Sequence, residues 1–198
     1  MMTVEVLARP GTFTAAQRER LGQALLTGLM AEESAPEAVL AQARALTNVL
    51  VHEPATWVTN GDEPRYLVRL TVPGSWNTPG FGERMIPRVT EAIAATEADA
   101  GRLYREPHCQ VQIVGLKEHA VGTLGRVTTA TDITRLMTDD YRATAEPAEA
   151  APGTAIDPVC GMPVDLATAT ITLEHEGTRY AFCAPVCKKV FSEELAAG

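Results

Sequence analysis

Two related stretches decide the fold: TVEVLARPGTF at residues 3–13 and YLVRLTVPGSW at residues 66–76, which lie 63 residues apart. In both, apolar and polar side chains alternate ahead of a Pro-Gly pair, a pattern that predicts a half-buried strand ending in a turn. A helical apolar stripe follows each, and a second apolar run closes each copy at residues 48–53 and 111–114. The chain therefore predicts two tandem β-α-β units.

Each unit joins its two strands through a helix, so these strands are expected to lie parallel with a right-handed crossover. Thr14 is placed to cap the first helix, which ends near residues 32–33, and the second is expected from Glu83 to Ala95. Shorter helices are predicted over residues 36–44 and 131–137. The expected fold class is α/β (α+β), a tandem β-α-β repeat that forms a four-stranded sheet with helices on one face.

Residues 1–141, in units of about 1–62 and 63–141, resemble the tautomerase superfamily in its double-unit form, related to macrophage migration inhibitory factor. The resemblance rests on the opening strand, the unit length and the internal repeat. A double unit leaves sheet edges unpaired, and pairing between copies covers them. We therefore expect a homotrimer.

In the tautomerase superfamily, a proline that follows the initiator Met acts as base or acid. Met2 holds that place here, and the positions that align with the family's catalytic arginines hold Thr12-Phe13 and Asn48. The catalytic residues are therefore unknown. If translation starts at Met2, processing would expose the amine of Thr3, whose ordinary pKa suits proton transfer.

Soft metal ligands concentrate near the end of the chain, where Cys160, Cys183 and Cys187 are separated by 22 and 3 residues. Two thiols four positions apart share one face of a helical turn, and a third from a Gly-containing turn completes a trigonal or tetrahedral sulfur site. The alternatives are small buried apolar residues or a disulfide.

Around these cysteines, the segment from about 155 to 196 resembles a YHS domain, a relative of the treble-clef metal-binding modules. The resemblance is carried by DPVCGM at residues 157–162 and YAFCAPVCKKVF at residues 180–191. It implies a ββα domain at 155–198 that binds a soft or borderline metal through its cysteines, Cu(I) by preference or Zn. Ala/Pro/Glu-rich residues 142–154 are expected to form a linker between the two domains.

Other residues near the cysteines are weighed for the site. His175, at a predicted hairpin tip, is a possible fourth ligand, although such a tip is usually solvated. Met162 can add a thioether to a Cu(I) site or pack beneath the small domain. Asp157 is expected to brace the turn through backbone N–H groups.

Three further residues lie outside the cysteine cluster. Cys109 is interpreted as a lone buried thiol. His52 and His119 flank the return strands and are given no role, because histidines are common at strand ends.

Composition narrows the class of protein. A chain of 198 residues with 45% hydrophobic content and a formal charge of −8 can bury a core, and its basic residues are scattered. We expect no nucleic-acid partner, because phosphate binding requires a clustered basic face. Without an apolar run of bilayer length or a signal-like start, a cytoplasmic location without membrane insertion is expected, where thiols are more often ligands than disulfides.

Three functions from different classes fit the sequence. The first is a metal-binding protein with a role in heavy-metal handling or sensing, on a tautomerase-like scaffold without the catalytic proline. The second is a tautomerase or isomerase that acts on small enolisable carbonyl acids, with the small domain as a regulatory or structural module. The third is a docking module for a metal-handling protein, in which the metal serves only folding.

Overall fold

The computed structural model describes residues 1–32, 34–144 and 150–197 and divides into two compact units. The N-terminal unit comprises residues 1–31 and 46–118, and the C-terminal unit comprises the described residues of 32–45 and 119–198. The helices are α1 (Ala15–Leu29), α2 (Glu37–Ala45), α3 (Pro79–Ala94), α4 (Ala130–Thr144) and α5 (Pro185–Ala197). None of the described helices is long and apolar enough to cross a membrane.

Four strands form the sheet of the N-terminal unit: β1 (Met2–Ala8), β2 (Thr47–His52), β3 (Tyr66–Pro73) and β4 (Cys109–Leu116). Their order is β2-β1-β3-β4, with β1 parallel to β2, β3 parallel to β4, and β1 antiparallel to β3. The predicted fold class is confirmed. Each β-α-β repeat contributes one parallel pair of strands, and the two repeats join through their first strands, β1 and β3.

Helices α1 and α3 pack against each other and against the sheet, so both cover the same face. A capping box between Thr14 and Gln17 starts α1, as the sequence predicts for Thr14. Alternate side chains of β1 and β3 pack against the apolar stripes of α1 and α3. The core consists mainly of Val4, Val6, Leu21, Leu25, Val68, Leu70, Val89 and Ile93.

The two copies of the repeat differ between the helix and the return strand. The first copy inserts α2 there, whereas the second has only a short 3-10 turn at Arg102–Tyr104. That turn is held by Arg102, whose guanidinium donates to Glu97, to the Pro64 carbonyl and to Glu106. The shorter copy thus replaces helix packing with a polar network.

The remaining strands are short and belong to the C-terminal unit. They form three antiparallel hairpins: β5 (Gly122–Thr123) with β6 (Arg126–Val127), β7 (Thr154–Ile156) with β8 (Pro163–Asp165), and β9 (Thr172–His175) with β10 (Thr178–Ala181). Helix α4 packs against both α2 and α5. The sequence pattern predicts the last two strands at residues 169–173 and 178–182. The second starts at Thr178 as predicted, whereas the first begins at Thr172.

Helix α4 is longer than the predicted segment 131–137 and continues to Thr144. The first residues of the predicted linker at 142–154 are therefore helical. Residues 145–149 of that linker lie outside the described residues. The proposed division into domains at 1–141 and 155–198 concerns which segments fold independently, and it stays a prediction.

Candidate metal centre

The first cysteine lies in the turn that joins β7 to β8. The Asp157 carbonyl accepts a hydrogen bond from the Gly161 amide at 2.9 Å, and the Asp157 amide donates to the Met162 carbonyl at 2.9 Å. Gly161 has φ +74°, a left-handed conformation that side chains disfavour. The Cys-Gly pair therefore fits the turn that places the Cys160 thiol inward.

The other two cysteines lie where β10 runs into α5. Cys183 follows the strand, and Cys187 occupies the first turn of the helix, where its amide donates to the Ala184 carbonyl at 3.1 Å. The amide groups of a helix N-terminus stabilise nearby negative charge. The helix N-terminus therefore favours the thiolate form of Cys187, the form that binds metals, whereas the nearby Cys160 opposes its ionisation.

Asp157 connects the turn of Cys160 to the segment of Cys183. Its Oδ1 accepts hydrogen bonds from the Val159 and Cys160 amides at 2.9 and 3.4 Å, and its Oδ2 accepts one from the Cys183 amide at 2.8 Å. The carboxylate is fully buried. Burial raises the pKa of Asp157, and the neighbouring Cys160 raises it further. The carboxylate braces the turn as the sequence predicts, and it also holds the second ligand segment in place.

The three sulfur atoms that the sequence singles out lie together. The Sγ atoms of Cys160 and Cys183 are 3.4 Å apart, and those of Cys183 and Cys187 are 3.8 Å apart. All three sulfurs and a carboxylate oxygen of Asp157 lie within 4.8 Å of one another. A disulfide joins its sulfurs at about 2.05 Å, whereas zinc–sulfur bonds of about 2.3 Å in a tetrahedron space sulfurs about 3.8 Å apart. The donor set fits a metal ion, and all three cysteines are free thiols.

Protonation within the cluster is shared. Hydrogen bonds from the Cys183 and Cys187 thiols lower the pKa of Cys160 to about 3. The interaction with Cys160 raises the pKa of Cys183 and of Cys187 above the ordinary range. Interacting thiols lose their protons in steps that belong to the group. The first proton is therefore lost from the group more easily than the others, and a bound cation favours loss of the remaining protons.

Two of the candidate ligands belong to the hydrophobic core of this region. The buried cluster consists of Val159, Cys160, Phe182, Cys187 and Val190. Phe191 lies beside it, with its ring centroid 5.6 Å from that of Phe182 and 4.7 Å from that of Tyr180. The core and the candidate metal site thus share the side chains of Cys160 and Cys187.

Helix α4 contributes a residue that sequence reasoning missed. A Cβ added at Gly161 would overlap the hydroxyl of Tyr141, so the tyrosine lies directly over the Cys160-Gly161 turn. Burial raises the pKa of Tyr141, with smaller contributions from Cys160 and Asp157. Ion pairs join this helix to α5: Arg135 to Glu193 at 2.6 Å, and Arg142 to Glu194 through two contacts of 2.8 and 2.6 Å.

The other residues weighed from the sequence are placed apart from the sulfurs or beside them. His175 ends β9 and is not among the clustered donor groups of the described residues. Met162 packs against the small core, which favours its packing role. Cys109 begins β4 in the N-terminal unit, where burial raises its pKa to about 11. His52 ends β2, and His119 belongs to the C-terminal unit.

The N-terminal unit has an open cleft of about 360 Å³ beside α1 and β2. Its arginine, Arg18, pairs with Glu53 at 3.2 Å and donates to the Phe13 carbonyl at 2.9 Å, so it braces the loop before α1. Met2 is 1% exposed within β1, and burial lowers the pKa of the Met1 amino group to about 5. The Met1 amino group is therefore uncharged at neutral pH.

Comparison with known proteins gives a family match for the last part of the chain. Residues 155–196 match the YHS domain family. Comparison with curated proteins gives no match.

Three solved structures are similar to the larger part of the chain. A fused 4-OT wild-type symmetric trimer is 17% identical, with 66% of this chain and 97% of that chain covered and a TM-score of 0.49. Macrophage migration inhibitory factor of Toxoplasma gondii is 9% identical, over 64% and 99% of the two chains, with a TM-score of 0.48. N1, a member of the cis-3-chloroacrylic acid dehalogenase family, is 16% identical, over 73% and 92%, with a TM-score of 0.46.

The strand order and register described above define the fold of the N-terminal unit. The structural neighbours are tautomerase and macrophage migration inhibitory factor proteins, as the sequence predicts. The YHS match and the cluster of three cysteines and one aspartate indicate a metal-ion site.

Proposed function

We propose that this protein binds a soft transition metal through Cys160, Cys183 and Cys187 and serves in heavy-metal handling or sensing. The separation of the sulfurs carries the proposal, because free thiols at 3.4 and 3.8 Å are spaced as metal ligands rather than as a disulfide. Two of these thiols are buried in the core. The packing of the core therefore holds these two sulfurs in positions where they can bind a metal.

Cu(I) is the proposed metal. Three thiolates satisfy a soft ion without further ligands, whereas a structural zinc site takes four. Asp157 is the nearest candidate for a fourth ligand, but both its oxygens already accept hydrogen bonds from backbone amides. Zn is the alternative, with the carboxylate of Asp157 completing its shell.

Anaerobic titration of the reduced chain with Cu(I) and with Zn tests the proposal. We expect one Cu(I) per chain, with three sulfur neighbours by X-ray absorption, and loss of stoichiometric binding in Cys183→Ser. Cys109→Ser is the control and keeps full binding. Zn that outcompetes Cu(I), with an oxygen in its shell, would replace the copper assignment, and a chain that binds neither ion would refute the proposal.

The N-terminal unit is proposed to assemble the protein as a homotrimer. Its helix-free sheet face carries Leu50, 41% exposed, and Val114, 36% exposed, around the Glu5–Arg69 ion pair. Apolar side chains on an open face favour burial between copies. Light scattering of the full chain at micromolar concentration is expected to give a trimer, and a monomer would contradict this assignment.

A tautomerase or isomerase that acts on small enolisable carbonyl acids is the second candidate function. The buried Met1 amine favours it, because a pKa of about 5 leaves the amine unprotonated and able to accept a proton at neutral pH. Turnover of an enolpyruvate-type substrate is expected to be weak without a proline amine. The variant Met2→Pro, with Met1 removed so that the proline amine is free, is expected to raise the turnover. Strong turnover that is insensitive to the N-terminal residue would overturn this assignment.

A further inference from the structure

The three thiols of the cluster differ in their access to solvent. Cys160 is 6% exposed and Cys187 is 4% exposed, whereas Cys183 is an exposed residue. The Cys183 Sγ lies 3.4 Å from that of Cys160 and 3.8 Å from that of Cys187. An incoming ligand therefore meets the cluster at Cys183 before it meets either buried cysteine.

The side chains around Cys183 form a passage to it. An open groove of about 320 Å³ runs along β8 and the segment before β9 and ends at Phe182 and Cys183. Pro163, Val164 and Ile171 line it with apolar side chains, and Asp165, Thr168 and Thr170 line it with polar ones. The Asp157 carboxylate fixes the backbone of Cys183 by accepting its amide hydrogen at 2.8 Å. Cys183, an exposed residue, thus lines a groove that is wide enough for a small ligand.

Other side chains cover the two buried cysteines, Cys160 and Cys187. Tyr141 of α4 lies over the Cys160-Gly161 turn, and Cys187 is covered within the core next to Val190. Exposed and buried ligands of one metal differ in function, because an acceptor replaces the accessible ligand first. A site that serves only to hold the fold together has no need of an open ligand.

On the proposed metal-binding function, we infer that the cluster is an exchange site. It passes its ion to an acceptor that presents thiols through the groove, with Cys183 as the first leaving ligand and Cys160 and Cys187 as anchors. In the first exchange, the acceptor sulfur forms a bond to the metal, the bond from the metal to the Cys183 sulfur breaks, and the proton of the acceptor thiol passes to Cys183. Two further acceptor thiols then replace Cys187 and Cys160 in the same way, and each gives its proton to the cysteine that it displaces. No electron changes hands, so Cu(I) leaves as Cu(I). The partner is therefore a thiol-bearing metal acceptor.

The kinetics of Cu(I) transfer from the loaded full chain to glutathione, followed anaerobically, test this inference. Attack at Cys183 predicts a transfer rate that rises in proportion to glutathione concentration. Thr170→Trp fills the groove without touching a ligand and is expected to bind one Cu(I) while slowing transfer by about an order of magnitude. Arg179→Trp places the same bulk on exposed β10 away from the groove and is the matched control.

A transfer rate that does not depend on glutathione concentration would overturn the exchange site, because the ion would then leave unaided. Equal rates for Thr170→Trp and Arg179→Trp would also overturn it. Both outcomes leave the metal-binding function intact, since each is measured on loaded protein. A chain that takes up no Cu(I) refutes the metal-binding function itself, and the exchange site with it.

Discussion

The two units of this protein reach stability by different means. In the N-terminal unit, two helices close over alternate side chains of four strands, and the resulting core is apolar throughout. In the C-terminal unit, the buried cluster around residues 155–196 is small and includes Cys160 and Cys187, which are also the candidate ligands. One unit is expected to fold on hydrophobic burial alone, whereas the other depends on what its thiols bind.

The buried polar side chains of the two units also differ in their role. In the N-terminal unit, the buried network of Tyr66, Glu97 and Arg102 is satisfied within itself and finishes a packed end of the sheet. In the C-terminal unit, the three thiols interact with one another and with the carboxylate of Asp157. Three mutually bonded thiols are a site that awaits a cation, and separate perturbation of each unit sharpens the comparison.

The largest effect is expected from the ligands. Cys187→Ser removes a sulfur that is both a donor and a core residue, so metal content should fall from about one per chain to near zero, with the loss of most of the metal-linked folding energy. Limited proteolysis should then cleave within residues 155–196 and spare the N-terminal unit. Cys109→Ser, outside the cluster, should resemble the natural chain. Retention of metal by Cys187→Ser would remove this residue from the site.

The converse experiment truncates the apolar core. Leu70 is fully buried in β3, and Leu70→Ala should destabilise the N-terminal unit by about 3 kcal/mol through lost burial and a cavity. Chemical denaturation measures the free energy of unfolding of the N-terminal unit. Val58→Ala, at a residue that is 89% exposed, is the control. Metal content should be unchanged. A parallel loss of metal would show that the two units do not fold separately.

Much of this comparison is predictable from sequence. The strands follow from period-two alternation, and the cysteine spacing brings out Cys160, Cys183 and Cys187. The bracing role of Asp157 follows from its place before a turn. Three features do not follow. Asp139, Asp140 and Tyr141 continue α4 without an apolar period, so the sequence pattern predicts a helix end at residue 137 rather than at Thr144. Tyr141 reaches the cysteine turn by tertiary packing, which leaves no local signal. The β5–β6 hairpin is only two residues long on each side, too short for a strand pattern.

A smaller effect is expected at the turn of Cys160. Gly161→Ala imposes a side chain on a φ of +74° and overlaps Tyr141, so the C-terminal unit should lose about 2 kcal/mol of stability. Gly177→Ala is the matched control. Gly177 has φ +77° but open space around it, so only the cost of about 1 kcal/mol for a left-handed alanine remains. Equal melting temperatures for the two variants would exclude the contact with Tyr141.

The smallest effect concerns the polar network. Burial, and then the hydrogen bond to Glu97, raise the pKa of Tyr66. A raised pKa stabilises the fold fully below the unfolded value of about 10, and this contribution is lost as pH rises through the folded-state pKa. Tyr66→Phe should cost about 1 kcal/mol at neutral pH and flatten the alkaline loss of stability. Tyr104→Phe, 63% exposed, should change neither. Chemical denaturation between neutral and alkaline pH measures both effects.

Hydrogen exchange on the full reduced chain, with and without one equivalent of Cu(I), tests the central claim most directly. If the thiol cluster is both core and ligand set, amides at residues 154–197 should exchange quickly without metal and become protected with it. Amides of β1 and β3 should be protected in both states. Equal protection of residues 154–197 with and without metal would contradict the account, because the small core would then stand without its ion.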